Sequence, residues 1–131
     1  MNTDLLNNYK DIEVPEKCLY RKESNAKELF REFDSPLAFL DLDECKQSAL
    51  YEWCNSIEKV QNINKHHTSY GLKHIFARTG KDFYVYNGAF KGAMLLAGFK
   101  VADETELNWR FNISEKSVKG ILNKQRKYAL H

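Results

Sequence analysis

The basic residues of the C-terminal half are the side chains whose type and spacing point to a particular chemistry. Residues 64–131 contain 12 Lys or Arg and 5 Asp or Glu, a net charge of +7, whereas residues 1–63 contain 8 and 13, a net charge of −5. Lys and Arg neutralise phosphates and release counterions when they bind nucleic acid. We therefore predict the following nucleic-acid-binding residues: Lys73, Arg78, Lys81, Asn87, Lys91, Arg110, Lys119, Lys124, Arg126 and Lys127.

Asn87 is predicted to lie at the start of a helix. It precedes an alanine-rich and glycine-rich segment that reads as a helix, and Lys91 follows one turn later. The N-terminus of a helix favours anions, so these two side chains are expected to approach a phosphate or a base edge. Tyr84 and Tyr86 lie just before them and are predicted to be core or rim residues rather than platforms for base stacking.

Motifs of the common catalytic and metal sites do not occur. The sequence contains no GxxxxGK[ST] phosphate loop and no GxSxG nucleophile elbow. His66, His67 and His74 have no CxxC or HxxxH pattern beside them that would complete a zinc site. The three cysteines are an odd number, which argues against a disulfide framework. We therefore predict no enzyme, no catalytic residue, no metal and no cofactor.

The hydrophobic pattern predicts helices to position these side chains. Apolar residues recur at intervals of three and four, most clearly between Leu42 and Val60. Helices are expected near residues 24–33, 42–63, 69–79, 88–97 and 114–129, and minor strands near 83–86 and 107–112. The predicted class is mainly α, a single compact helical domain with two or three short strands. Residues 1–22 are expected to form an irregular arm and residues 23–131 the domain, acidic over 23–63 and basic over 64–131.

Polar residues mark the helix ends. Capping side chains are expected from Ser24 or Asn25, Asp41 or Asp43, Thr68 or Ser69, Asn87, and Ser114, and Gly80 and Gly98 are expected to end helices. The residues predicted to form the core are Leu42, Ala49, Trp53, Ile57, Val60, Leu72, Ile75, Phe76, Phe90, Met94, Leu96, Trp109, Ile113, Val118 and Leu122.

The order of the central elements is compatible with a helix-turn-helix variant. Two capped helices, near 69–79 and 88–97, are followed by a short strand and a basic helix. The connector between the two helices is longer than the three or four residues of the simple motif. Gly88 and Gly92 make the second helix slim, suited to close packing within the chain or across a homodimer.

Composition limits the class of protein further. The chain has 131 residues, of which 43% are hydrophobic and 29% are charged, enough for one core and unlike a disordered or collagen-like chain. No apolar run approaches 18 residues, and the N-terminus lacks the basic start and apolar stretch of a signal peptide. We therefore expect a cytoplasmic protein with no membrane partner.

One segment carries a resemblance to a group of proteins. HTSYGLKH at 67–74, followed by YVYNGAFKGAMLLAGF at 84–99, resembles small uncharacterised proteins of bacterial phages and mobile elements, over about residues 64–118. The resemblance implies a DNA-binding regulator or an inhibitor of a host defence nuclease, of the anti-CRISPR type. Nucleic acid is thus the first predicted partner and a host nuclease complex the alternative. For the alternative, the acidic partner surface would be Asp34, Asp41, Asp43 and Glu44.

Overall fold

In the computed structural model, which describes residues 1–79 and 83–129, five α-helices and two 3₁₀ helices follow one another along the chain. The α-helices are α1 (Ala26–Phe33), α2 (Glu44–Asn55), α3 (Ser69–Ala77), α4 (Asn87–Leu96) and α5 (Glu115–Ala129). The 3₁₀ helices are η1 (Asp4–Tyr9) and η2 (Pro36–Asp41). The prediction of a mainly α single domain is confirmed.

Helix α4 lies at the centre of the molecule. Every residue from Asn87 to Leu95 is buried, because the helix is covered by η1, η2 and α1–α3. Two glycines allow η2 and the two residues before it to approach the backbone of α4 directly. A Cβ atom at Gly92 would lie 2.7 Å from Phe39 Cβ, and one at Gly88 would lie 2.6 Å from the Asp34 carbonyl carbon. The slim helix therefore packs within the chain, and Gly98 (φ +90°) ends it as predicted.

The segment η2, which the sequence did not predict, forms the surface against which α4 packs. Ser35 begins it, with its hydroxyl accepting a hydrogen bond from the Leu37 N–H, and Pro36 occupies the first helical position. Leu37, Ala38 and Phe39 are all buried. As predicted, α1 ends before this proline, but its start at Asn25 has no side-chain cap.

Helix α2 is shorter than predicted. It starts at the expected cap, where Asp43 accepts a hydrogen bond from the Lys46 N–H, but it ends at Asn55 rather than near residue 63. Residues 56–64 run beside the segment before α5 instead, because the Val60 and Asn64 amides donate to the Asn112 and Phe111 carbonyls. Val60 is consequently 42% exposed, and its assignment to the core was wrong.

The predicted strands are reduced to isolated bridges. Lys59 pairs with Ile113 and Val101 pairs with Phe111, and residues 83–86 form no strand in the described part of the chain. The helix-turn-helix interpretation also fails in one respect. Helices α3 and α4 are both present, but a recognition helix must be exposed to enter a groove, and α4 is buried.

The N-terminal arm packs against the same core as the rest of the chain. Leu6 is fully buried and the Tyr9 ring lies 5.9 Å from that of Trp109. Nine of the predicted core residues are buried: Ile57, Leu72, Ile75, Phe76, Phe90, Met94, Trp109, Ile113 and Val118. A further five are half-buried: Leu42, Ala49, Trp53, Leu96 and Leu122.

Cys18, Cys45 and Cys54 are free thiols. Within the described residues, none of the helices combines the length and the apolar character needed to cross a membrane.

Candidate nucleic-acid interface

Helix α5 is fixed to the domain at its first turn. Ser114 caps it as predicted, because its hydroxyl accepts a hydrogen bond from the Ser117 N–H at 3.1 Å. Glu115 Oε2 accepts a hydrogen bond from Asn64 Nδ2 at 2.9 Å, and Glu115 Oε1 lies 3.0 Å from His67 Nε2. These two contacts lower the pKa of Glu115 below its ordinary value, the Asn64 hydrogen bond contributing most. The one carboxylate of the helix is thus used to hold the segment at residues 64–67.

The inner face of α5 packs against the core and α3. Val118 is buried, and Ile121 and Leu122 are half-buried beside it. Further along the helix, Gln125 Nε2 donates a 2.9 Å hydrogen bond to the Ile75 carbonyl in the last turn of α3. These contacts, which include the predicted core residues Val118 and Leu122, fix which side of α5 meets solvent.

The outer side of α5 carries five cations and no acid. The five are Lys116, Lys119, Lys124, Arg126 and Lys127, and all are exposed. Among the described residues, no carboxylate oxygen lies within 4.0 Å of any of their side-chain nitrogens. From the first cation to the last the helix rises by about 16 Å. That length matches roughly five base steps of a nucleic-acid duplex.

Three further cations flank α5, one near its C-terminal half and two near its start. Arg78 is exposed. It lies three residues after Ile75, whose carbonyl accepts the hydrogen bond from Gln125 of α5. Arg110 is exposed, and its Nε donates a hydrogen bond to the Lys65 carbonyl at 3.4 Å. Lys65 follows Asn64, whose side-chain amide donates to Glu115 at the start of α5. We call the eight cations together the basic strip: Lys65, Arg78, Arg110, Lys116, Lys119, Lys124, Arg126 and Lys127.

Asn87 and Lys91 do not contribute to this strip, and their prediction as binding residues was wrong. Asn87 is the first residue of α4 rather than its cap, and it is buried. Its Nδ2 donates to Asp34 Oδ1 at 3.1 Å, and its Oδ1 accepts from Ser69 Oγ at 2.7 Å. The side chain therefore joins α4 to α1 and α3 instead of facing a ligand.

Lys91 is a fully buried cation. Its Nζ donates to the Asp34 carbonyl at 2.9 Å and lies 4.7 Å from the centre of the Trp109 ring. Burial lowers its pKa from 10.5 to about 8, although the nearby Asp34 charge acts in the opposite direction. Because no part of this side chain reaches solvent, it cannot contact a nucleic acid bound at the surface.

Lys73 is also covered, although at a different place. It is 3% exposed, and its ammonium lies beneath the rings of Tyr70 and Tyr84. Direct contact with a phosphate, as predicted, is therefore blocked by these rings. Lys81 lies outside the described residues.

The acidic residues of the alternative prediction are largely engaged within the chain. The Asp34 carboxylate accepts hydrogen bonds from Asn87 and from the Tyr20 hydroxyl, and this contact together with burial raises the pKa of Tyr20. Asp41 forms a two-bond pair with Arg31, at 2.9 and 3.1 Å. Asp43 caps α2 and lies 4.0 Å from Lys46, which leaves Glu44 exposed in the first turn.

Two of the histidines contact neighbouring side chains. His67 contacts Glu115, and the His74 ring packs edge-on against Tyr70 with the ring centres 4.6 Å apart. In the part of the chain that the structure describes, no three His, Cys, Asp or Glu side chains lie together as a metal site would require.

Comparisons with protein-family models, with curated proteins and with solved structures found no match for this chain. The resemblance to phage and mobile-element proteins therefore stays a prediction.

Two members of the basic strip were missing from the predicted set. Lys65 and Lys116 are both exposed beside the anchored start of α5. The sequence carried a signal for Lys116, since it lies eight and eleven residues before Lys124 and Lys127, spacings that place the three on one side of a helix. The position of Lys65 depends on its contact with Arg110, 45 residues further along, which no local pattern encodes.

Proposed function

We propose that this protein binds nucleic acid through the basic strip, as a binding protein rather than an enzyme. The observation that supports the proposal most is the outer side of α5, where five exposed cations have no carboxylate oxygen within 4.0 Å among the described residues. Surface cations of a folded domain are commonly interspersed with acids. A row of exposed cations along one helix attracts a polyanion and steers its approach.

The negative charge of residues 1–63 does not lead us to a second proposed function. Arg31 and Lys46 neutralise part of the acidic set, so Asp41 and Asp43 present less negative charge than the sequence implies. Inhibition of a nuclease through these residues stays a prediction.

The test is a comparison of two triple variants with equal net charge. One replaces Lys119, Lys124 and Lys127 by Gln, and the control replaces the exposed Lys10, Lys22 and Lys27 of the acidic half by Gln. Binding of a labelled 30-base-pair duplex of random sequence is measured by fluorescence anisotropy between 50 and 300 mM salt.

We expect the α5 variant to bind more weakly at every salt concentration. If all three cations contact phosphates, the slope of log K against log salt falls in magnitude by about 2.7. The control should retain the slope of the original protein. Equal losses in the two variants, or no binding by the original protein at 50 mM salt, would overturn the proposal.

A further inference from the structure

Three tyrosines stand exposed on one side of the molecule and are not explained by the core. Tyr70, Tyr84 and Tyr86 are 53%, 64% and 43% exposed. The Tyr84 and Tyr86 rings lie edge to face with their centres 5.4 Å apart, and Tyr86 packs in the same way on Phe33 at 4.7 Å. We call the three exposed rings the tyrosine platform.

A buried positive charge holds the platform together. Lys73 Nζ donates a 2.9 Å hydrogen bond to the Tyr84 hydroxyl and lies 4.4 Å from the centre of that ring. It also lies 5.1 Å from the centre of the Tyr70 ring. No carboxylate of the described residues lies within 4.0 Å of this ammonium group. The platform thus sets aromatic faces over a cation that has no carboxylate within 4.0 Å among the described residues, whereas Glu32 and Asp41 line the groove beside Tyr84 and Tyr86. Aromatic faces next to a cation suit an anionic and aromatic ligand better than an apolar one.

The platform is continuous with the basic strip along α3. Tyr70 and His74 lie one turn apart, and Arg78 follows at the same spacing just beyond the helix end, so the three share one face. The distance along the axis from Tyr70 to Arg78 is about 12 Å. The pKa of His74 is lowered by partial burial and by the charges of Lys73 and Arg78, as expected for a positive local field. A ligand on the strip could therefore extend onto the rings.

We propose that the tyrosine platform binds unpaired bases, so that the preferred ligand of this protein is a single-stranded nucleic acid. The inference rests on the proposed function, because the basic strip would hold the backbone while the rings stack on the bases. Only unpaired bases expose a free face, since the bases of a duplex already stack on one another. Aromatic stacking next to a cationic groove is the general mode by which proteins bind single strands without reading sequence.

The test measures two ligands against variants of the platform. An unstructured 20-nucleotide thymidine oligomer and a 20-base-pair duplex are titrated with the original protein, Tyr70→Ala, Tyr84→Ala and Tyr84→Phe at 100 mM salt. Tyr84→Phe keeps the ring and removes only the hydroxyl that contacts Lys73. Leu19→Ala, at a fully exposed apolar position, is the control for a surface change elsewhere.

We expect each alanine variant to lose roughly 5-fold to 100-fold in affinity for the single strand. Duplex affinity should change less than twofold, and Tyr84→Phe and Leu19→Ala should bind the single strand as the original protein does. Unfolding midpoints of all variants, measured in urea, establish that the alanine variants are folded.

The outcomes separate this inference from the proposed function. If the original protein binds the duplex but not the single strand, or if the alanine variants bind both as before, the platform inference fails while the basic strip stands. If neither ligand binds, the proposed function itself fails. If Tyr84→Ala abolishes self-association in sedimentation velocity and leaves oligonucleotide binding unchanged, the platform contacts a second copy of the chain and the inference is overturned.

Discussion

Replacing Lys91 by Met is expected to remove a pH dependence from the free energy of unfolding. In the folded protein the pKa of Lys91 is about 8, against 10.5 for an ordinary lysine, because the ammonium is buried between Trp109 and the Asp34 carbonyl. Between these two values the unfolded chain binds the proton and the folded chain does not. Stability therefore rises with pH in this window.

The magnitude follows from the lowered pKa. A tenfold change in a proton-binding constant corresponds to about 1.4 kcal/mol, so the full effect is about 3 kcal/mol. Only part of it is accessible experimentally, and between pH 7 and 9.5 we expect a gain of about 2 kcal/mol. Tyr9, Tyr20 and Cys54 have raised pKa values that act in the opposite direction, but they are present in both proteins and cancel in the difference.

The assay is urea unfolding followed by circular dichroism at several values of pH. The quantity of interest is the free energy of unfolding of the original protein minus that of Lys91→Met. Lys119→Met, at an exposed position on α5, is the matched control and should follow the pH profile of the original protein. A difference between the original protein and Lys91→Met that stays constant from pH 7 to 9.5 would refute the reasoning.

Three further predictions concern stability. Gly92→Ala should lower the free energy of unfolding by at least about 2 kcal/mol, because η2 leaves no room for a Cβ atom. Gly120→Ala, in open space on α5, should raise the free energy of unfolding by about 0.5–1 kcal/mol. Equal effects of the two substitutions in urea unfolding would contradict the close packing of η2 on Gly92. Ser114→Ala should cost about 1 kcal/mol through loss of the α5 cap, and an unchanged urea midpoint would contradict the cap. Glu115→Gln should lower the free energy of unfolding by less than about 1 kcal/mol at pH 7, because the Asn64 hydrogen bond favours the carboxylate. This loss should vanish as the pH falls below the lowered pKa of Glu115. A loss that does not change with pH would exclude this cause.

Local patterns predicted what depends on neighbours in sequence. The cap at Asp43, the end of α1 before Pro36 and the positive φ at Gly98 all follow from residues within one turn. The C-terminal end of α2 does not, because residues 57–60 continue the three-residue spacing of a helix while their backbone pairs with residues 112–114. That pairing is set by a contact more than 50 residues away, and the helical period could not reveal it.

The candidate site divides in the same way. The cations of α5 are exposed because the opposite, apolar side of the helix packs on the core, and the spacing of Val118 and Leu122 in the sequence indicates that side. Lys91 was predicted to lie on the surface because the prediction considered its charge and not the residues next to it in the sequence. Apart from Lys91, residues 88–96 are all glycine or apolar, so no side of the helix is polar. This pattern is typical of a buried helix and was the signal that could have placed Lys91 inside.

The packing of η2 on α4 has a consequence for how the chain can be divided. The glycines of α4 receive a segment about 50 residues earlier, so the acidic and basic halves each supply one wall of the same interior. Contacts between residues this far apart in sequence slow folding, because the entropy of closing the intervening loop is lost before the contacts form. A cut between residues 63 and 64 should yield two fragments that remain unfolded separately and regain helical signal only when mixed. The two halves of opposite charge are thus parts of one cooperative unit and cannot be exchanged as separate modules.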